Sequence, residues 1–174
     1  MAVSVDDVER LIQVFSARGA MASAAAKLDV LMDLERLRDR RVVFFLLQLL
    51  GDPSQPAEVR VHVLKRLRNG PLTAHDRVKV AGALRQLLSS SSSLVLRLQA
   101  ALALGEFTGI AGVLDALEAV ALEPHESIDL RYAAFTSLER AGPTTECVNL
   151  LRQLSNDDML GCAARSVLVC WRLE

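Results

Sequence analysis

Leu96-Arg97-Leu98-Gln99-Ala100-Ala101-Leu102-Ala103-Leu104-Gly105 decides how this chain folds, because three other stretches repeat its pattern. Take Arg60, Arg97, Arg131 and Gly161 as reference points. The residue before each is Val59, Leu96, Leu130 or Leu160. Three residues after each comes Val63, Ala100, Ala134 or Ala164, and seven after comes Leu67, Leu104, Leu138 or Leu168. Positions −1, +3 and +7 fall on one side of a helix at 100° per residue, so each stretch predicts a helix with one buried stripe.

A second motif lies upstream of each reference point. Leu46-Leu47-Gln48-Leu49-Leu50, Leu84-Arg85-Gln86-Leu87-Leu88, Leu117-Glu118-Ala119-Val120-Ala121 and Leu150-Leu151-Arg152-Gln153-Leu154 share one spacing. The reference points are 37, 34 and 30 residues apart. Such a period predicts helix pairs that bury their apolar faces only by stacking on their neighbours.

Turn residues punctuate the pattern. Gly51-Asp52-Pro53, Asn69-Gly70-Pro71, Pro124 and Gly142-Pro143 close helical runs, with glycine expected in the left-handed conformation after a helix end. Thr73, Ser127 and Thr144 or Thr145 are placed as N-caps, with Asp76 and Glu146 in first turns. Ten helices are expected, near 4–18, 21–40, 41–50, 56–69, 73–89, 93–108, 110–122, 127–141, 144–155 and 158–173. The apolar run Val42 to Leu47 is read as helix rather than buried strand, because it continues through Leu49 and Leu50 in a first-helix slot.

These stretches resemble the second helix of HEAT repeats. The resemblance covers residues 41–174 and implies an all-α, right-handed α-solenoid of about five helix pairs whose second helices line a concave, partner-binding face. Residues 1–174 are read as one domain. Residues 1–40 form a divergent N-terminal capping pair with Ala24, Leu28 and Met32 in the small-large register, and residues 41–174 supply four repeats. Gly161 stands where the other copies have arginine, so a ladder of arginines is expected to stop there. The helical pattern running to the end leaves room for the native chain to continue beyond Glu174.

Composition narrows the function. The chain of 174 residues is 51% hydrophobic, only 4% aromatic, and carries a net charge of −1. That balance excludes a disordered chain. No apolar run approaches the ~20 residues that span a bilayer, and no basic-then-apolar leader opens the sequence. Cys147, Cys162 and Cys170 form no C-x-x-C pair and are expected to be buried thiols in a cytoplasmic setting. The charge is unevenly spread: residues 41–109 carry a net +5 and residues 110–174 a net −5, which favours an acidic partner or a homodimer.

Candidate chemistry is sparse. His125-Glu126 is a single pair, whereas HEAT-like di-iron hydroxylases use several. Glu126 is read instead as helping to start the next helix. Gly105, Gly109 and Gly112 lack the order of a phosphate loop. Lys65, Arg66, Arg68, Arg77 and Lys79 form a basic cluster without the aromatic and acidic groups of HEAT-like DNA glycosylases, and read as a solvated face. Arg60, Arg97 and Arg131 are read as structural, with Glu58 and Asp129 as possible local partners. No catalytic residue, metal site or cofactor is expected.

The faces opposite the predicted core are more telling. Positions +1, +5 and +8 hold Val61, Lys65 and Arg68, then Leu98, Leu102 and Gly105, then Tyr132, Thr136 and Glu139. Val61, Lys65, Arg68, Leu98, Leu102 and Tyr132 are therefore the expected contacts for a protein or peptide partner of a non-catalytic scaffold. Two other readings stand beside it. Short, Ala-rich HEAT-like repeats occur in lyases that attach bilins to phycobiliproteins, which implies an enzyme subunit. The basic middle segment would suit contact with nucleic-acid phosphates, although a pI near 6.3 speaks against that.

Overall fold

A computed structural model describes residues 5–17, 19, 23–91 and 93–173. Within these residues the chain forms ten helices and no strand. They are α1 (Val5–Ala17), α2 (Ala24–Arg36), α3 (Arg40–Gly51), α4 (Ala57–Asn69), α5 (Ala74–Ser90), α6 (Leu94–Leu104), α7 (Val113–Leu122), α8 (Ile128–Arg140), α9 (Thr145–Leu154) and α10 (Gly161–Cys170). The helices group into two compact units, Met1–Asp76 and Arg77–Glu174.

In the first unit α1 pairs with α2 and α3 with α4, and like helices meet between pairs: α1 on α3 and α2 on α4. The second unit repeats this logic. There α7 pairs with α8 and α9 with α10, while α6 packs on α8 and α7 on α9. The repeated core positions explain why. Val59, Leu96, Leu130 and Leu160 are all buried, as are Val63, Ala100, Ala134 and Ala164, and Leu67, Leu104, Leu138 and Leu168. Each leucine so placed contributes about 1.5–3 kcal/mol of burial. The alanines at +3 let neighbouring helices approach closely. Gly105 and Ser137 extend that approach in the second unit: a Cβ on Gly105 would lie 3.0 Å from Ser137 Oγ, and that hydroxyl donates to Ala101 O at 2.7 Å.

Caps start the helices where the sequence places them. Thr73 Oγ1 accepts from Asp76 N at 3.2 Å, Ser127 Oγ from Leu130 N at 3.2 Å and Thr144 Oγ1 from Cys147 N at 3.2 Å. Ser23, Asp39 and Ser93 cap α2, α3 and α6 in the same way. The run from Val42 to Leu50 is helical, inside α3.

Several details differ from the expectation: α2 ends at Arg36 rather than near 40, and α7 begins at Val113 rather than near 110. Helix α6 stops at Leu104 rather than near 108, because Glu106, Phe107 and Ile110 turn back on backbone hydrogen bonds and Phe107 is buried. Helix α10 starts only at Gly161, because Asp157 Oδ1 takes the N–H groups of Met159 and Leu160 and holds a separate turn. Of the glycines expected to be left-handed after helix ends, Gly142 is (φ 80°), whereas Gly70 is extended.

The N-terminal pair also keeps a different register. Met32 is 49% exposed, and the buried stripe of α2 is Lys27, Val30, Leu31 and Leu34. In this register Lys27 and Leu31 occupy the slots of Val59 and Val63, and Glu35 that of Leu67. Two core slots of the repeat are therefore polar in this copy. Glu35 is used: its Oε1 lies 2.9 Å from His62 Nε2, and Arg66 Nε lies 3.4 Å from Oε2. Residues 1–4, 18 and 20–22, part of the expected first pair, lie outside the described residues.

Candidate functional site

The repeat arginines are positioned by their own helices to reach a carbonyl in the helix before. Arg60 Nε donates to Leu50 O at 3.0 Å, Arg97 Nε to Leu88 O at 2.8 Å and Arg131 Nε to Ala121 O at 2.9 Å. Each carbonyl belongs to the last turn of a first helix, where no intrahelical donor is left. The outer nitrogens of two arginines then reach forward. Arg97 forms an ion pair with Glu126 and Arg131 one with Asp157, both carboxylates in the loop before the next second helix.

Glu58 and Asp129, the local partners expected from sequence, take no part in these bonds. The hydrogen bond from Arg97 holds Glu126 below the usual carboxylate range, against the opposing effect of burial. For Asp157 burial pushes upward, and the N–H of Leu160 together with Arg131 outweighs it, so the carboxyl is again held low. Glu126 also accepts from Ser127 N, which agrees with its expected part at the start of α8.

The ladder does not end at Gly161. Arg165, one turn later, donates to Ser155 O at the end of α9. A Cβ at position 161 would lie 2.8 Å from that same carbonyl oxygen. The contact is thus kept while its donor moves by a turn, and the backbone of α10 fills the space that an arginine stem occupies in the other copies.

The basic cluster is partly consumed by similar contacts. Arg66 faces Glu35, and Arg77 donates to Glu106 O with its guanidinium 4.7 Å from the Phe107 ring centroid. A cleft of about 110 Å³ in the first unit has an apolar floor of Val42, Leu46 and Leu67 and a rim of Arg38, Arg40 and Asp76. Thr73 holds the Asp76 carboxyl low against the opposing effect of burial, and Arg40 adds to the lowering, so charges of the rim answer one another.

The expected partner-contact residues fall in both units. In the first, Val61 and Arg68 on α4 are half-buried and Lys65 is exposed. In the second, Leu98 and Leu102 on α6 are half-buried, Tyr132 on α8 is 41% exposed, and Gly105 is buried rather than facing water. The buried state of Gly105 follows from the close approach of α6 to α8. Tyr132 is fixed at both ends: its ring stands edge-on to Phe135 (centroids 6.4 Å apart) and its hydroxyl donates to Met159 O at 3.3 Å. Met159, which sequence reasoning missed, is 55% exposed and adjoins Tyr132 through that bond. The helix expected over 158–173 takes Met159 in as an ordinary helical residue, whereas Asp157 holds it in a separate turn before α10.

Among the described residues no group of three His, Cys, Asp or Glu side chains could hold a metal, and no helix is long and apolar enough to cross a membrane. Cys147 is buried, and burial raises its thiol pKa. Cys162 and Cys170 are exposed on α10, contrary to the expectation of three buried thiols, because the helix buries only its Ala164, Val167 and Leu168 face. Neither a family model nor a curated protein matches this chain.

Proposed function

We propose that the chain is a non-catalytic helical-repeat binding module, HEAT-like in architecture, whose second helices present a protein- or peptide-binding face. The observation that carries this reading is the set of apolar side chains held at the surface of the second unit: Leu98, Leu102, Tyr132 and Met159. Tyr132 and Met159 are exposed and joined through the tyrosine hydroxyl, and Leu98 and Leu102 are half-buried; apolar surface of this kind marks interfaces. A tyrosine anchored by its own hydroxyl presents contact area at low entropic cost, as interface tyrosines do. The packing of like helix on like helix within each unit supports a stack of helix pairs, as in helical-repeat proteins; the form proposed is right-handed, with this face concave. The two exposed, unbridged cysteines suit a reducing, cytoplasmic setting.

Affinity purification with the wild-type chain and with Leu98→Asp plus Tyr132→Ala tests this reading. The module should lose at least one specifically retained protein in the double variant, with its thermal unfolding unchanged within a few degrees. Retention of every partner by the double variant sinks the proposal.

A further inference from the structure

Lys27 is the largest anomaly in the repeat. It sits in the slot that Val59, Leu96, Leu130 and Leu160 fill elsewhere, and it is 2% exposed. Burying an ammonium is costly unless its charge and donors are answered. Here Nζ donates to Gln55 Oε1 at 2.9 Å, and the Phe15 ring centroid lies 5.6 Å away. No carboxylate forms an ion pair with it among the described residues. An ammonium has three donors, and one is spent on a neutral amide.

Asp52 lines the same cleft as Lys27, and it is engaged otherwise. Its Oδ2 accepts from Gln55 Nε2 at 2.8 Å, and its Oδ1 accepts from Ser54 N and Ser54 Oγ. Those bonds, from Gln55 first and Ser54 next, also hold its carboxyl low. Asp52 therefore orients the Gln55 amide so that its oxygen, rather than its nitrogen, faces Lys27.

This arrangement lines an open cleft of about 430 Å³ between α1, α2 and α3, within the first unit. Its apolar wall is Phe15, Phe45 and Leu49, the two rings edge-to-face at 5.4 Å. The charged groups of its lining are Lys27 and Asp52, and the Asp52 oxygens are taken by Gln55 and Ser54; a cleft of several hundred Å³ with an apolar wall and a few fixed polar groups is the common form of a small-molecule site. We propose that this cleft binds a small monocarboxylate, its apolar body against Phe15, Phe45 and Leu49 and its carboxylate on Lys27 Nζ. With the Asp52 oxygens already engaged, Lys27 is the charge left to answer, and the nearby carboxylate disfavours a multiply charged phosphate relative to a monoanion with an apolar body. The cleft shares no residue with the proposed partner-binding face, and binding there does not depend on that face.

The test is a titration of the whole chain with sodium phenylacetate, followed by NMR shifts of the Phe15, Phe45 and Lys27 resonances. Phenylacetamide serves as the uncharged isostere. Saturable shifts with phenylacetate, and binding of the amide weaker by about tenfold or more, are expected. Lys27→Leu, which installs the side chain the other copies carry, should abolish the phenylacetate response while unfolding at the same or a higher temperature. Absence of saturable shifts up to about 10 mM phenylacetate overturns the proposal. So does equal binding of the amide, or an undiminished response in Lys27→Leu.

Discussion

Arg131 and Asp157, 26 residues apart in sequence, close an ion pair between consecutive repeats, and Arg131 is the one repeat arginine that is fully buried (4% exposed). The same guanidinium holds the Ala121 carbonyl, so one side chain ties α7 to α8 and α8 to the turn before α10. Removing one partner of such a pair leaves a buried charge unanswered, which costs about 3–5 kcal/mol. Asp157→Ala should therefore destabilise the chain by about 3 kcal/mol in urea unfolding. Arg131→Met in the Asp157→Ala background should add little further loss, since it removes the stranded charge. A cost for Asp157→Ala below about 1 kcal/mol would assign the pair no more than a surface role.

The pH dependence follows from the same carboxylates. Glu126 and Asp157 both titrate lower in the folded chain than in the unfolded one. A depressed carboxyl gives its full stabilisation above the unfolded pKa, around pH 4, and loses it as pH falls through the folded value. Stability should accordingly be flat from pH 7 to 5 and fall below that. Glu126→Gln should lower stability at pH 7 and shallow the acid slope. Chemical denaturation at stepped pH measures both, and an unchanged slope in Glu126→Gln excludes the link.

Restoring the apparent consensus at position 161 should be harmful. Gly161→Arg would place a Cβ 2.8 Å from Ser155 O, an oxygen that Arg165 already serves. A loss of about 2 kcal/mol or more is expected, because the obstacle is backbone and cannot swing aside. Calorimetric unfolding at equal or higher temperature for Gly161→Arg would contradict the shifted-donor account.

Close approach between α6 and α8 gives a further prediction. Gly105→Ala should cost about 1–3 kcal/mol, since the new methyl meets Ser137 Oγ at 3.0 Å and Ser137 Cβ at 3.2 Å. Ser137→Gly in that background should return part of the loss by opening the space, and double-mutant unfolding curves read the coupling directly.

The twelve core positions at −1, +3 and +7 were legible in the sequence because burial follows the helical period, which residue spacing records. The partners of the arginines were not. Glu126 and Asp157 lie 29 and 26 residues from their arginines, beyond the reach of any local pattern, whereas Glu58 and Asp129, near in sequence, take no part in those pairs. Lys27 escaped for the opposite reason: reading apolar residues as the stripe favoured Met32, which is exposed, over a charged residue that is buried. Leu98, Leu102 and Tyr132 follow from periodicity, but Met159 joins them only through a tertiary contact with the Tyr132 hydroxyl.

The binding face is tested most directly by placing a photo-crosslinking amino acid at position 132 or at exposed Arg152 on α9, the first helix of its pair. The module account predicts a discrete crosslinked protein from position 132, reduced by Leu98→Asp, and none from position 152. Equal crosslinking from both positions, or none from 132 in cells where the chain is abundant, would contradict it.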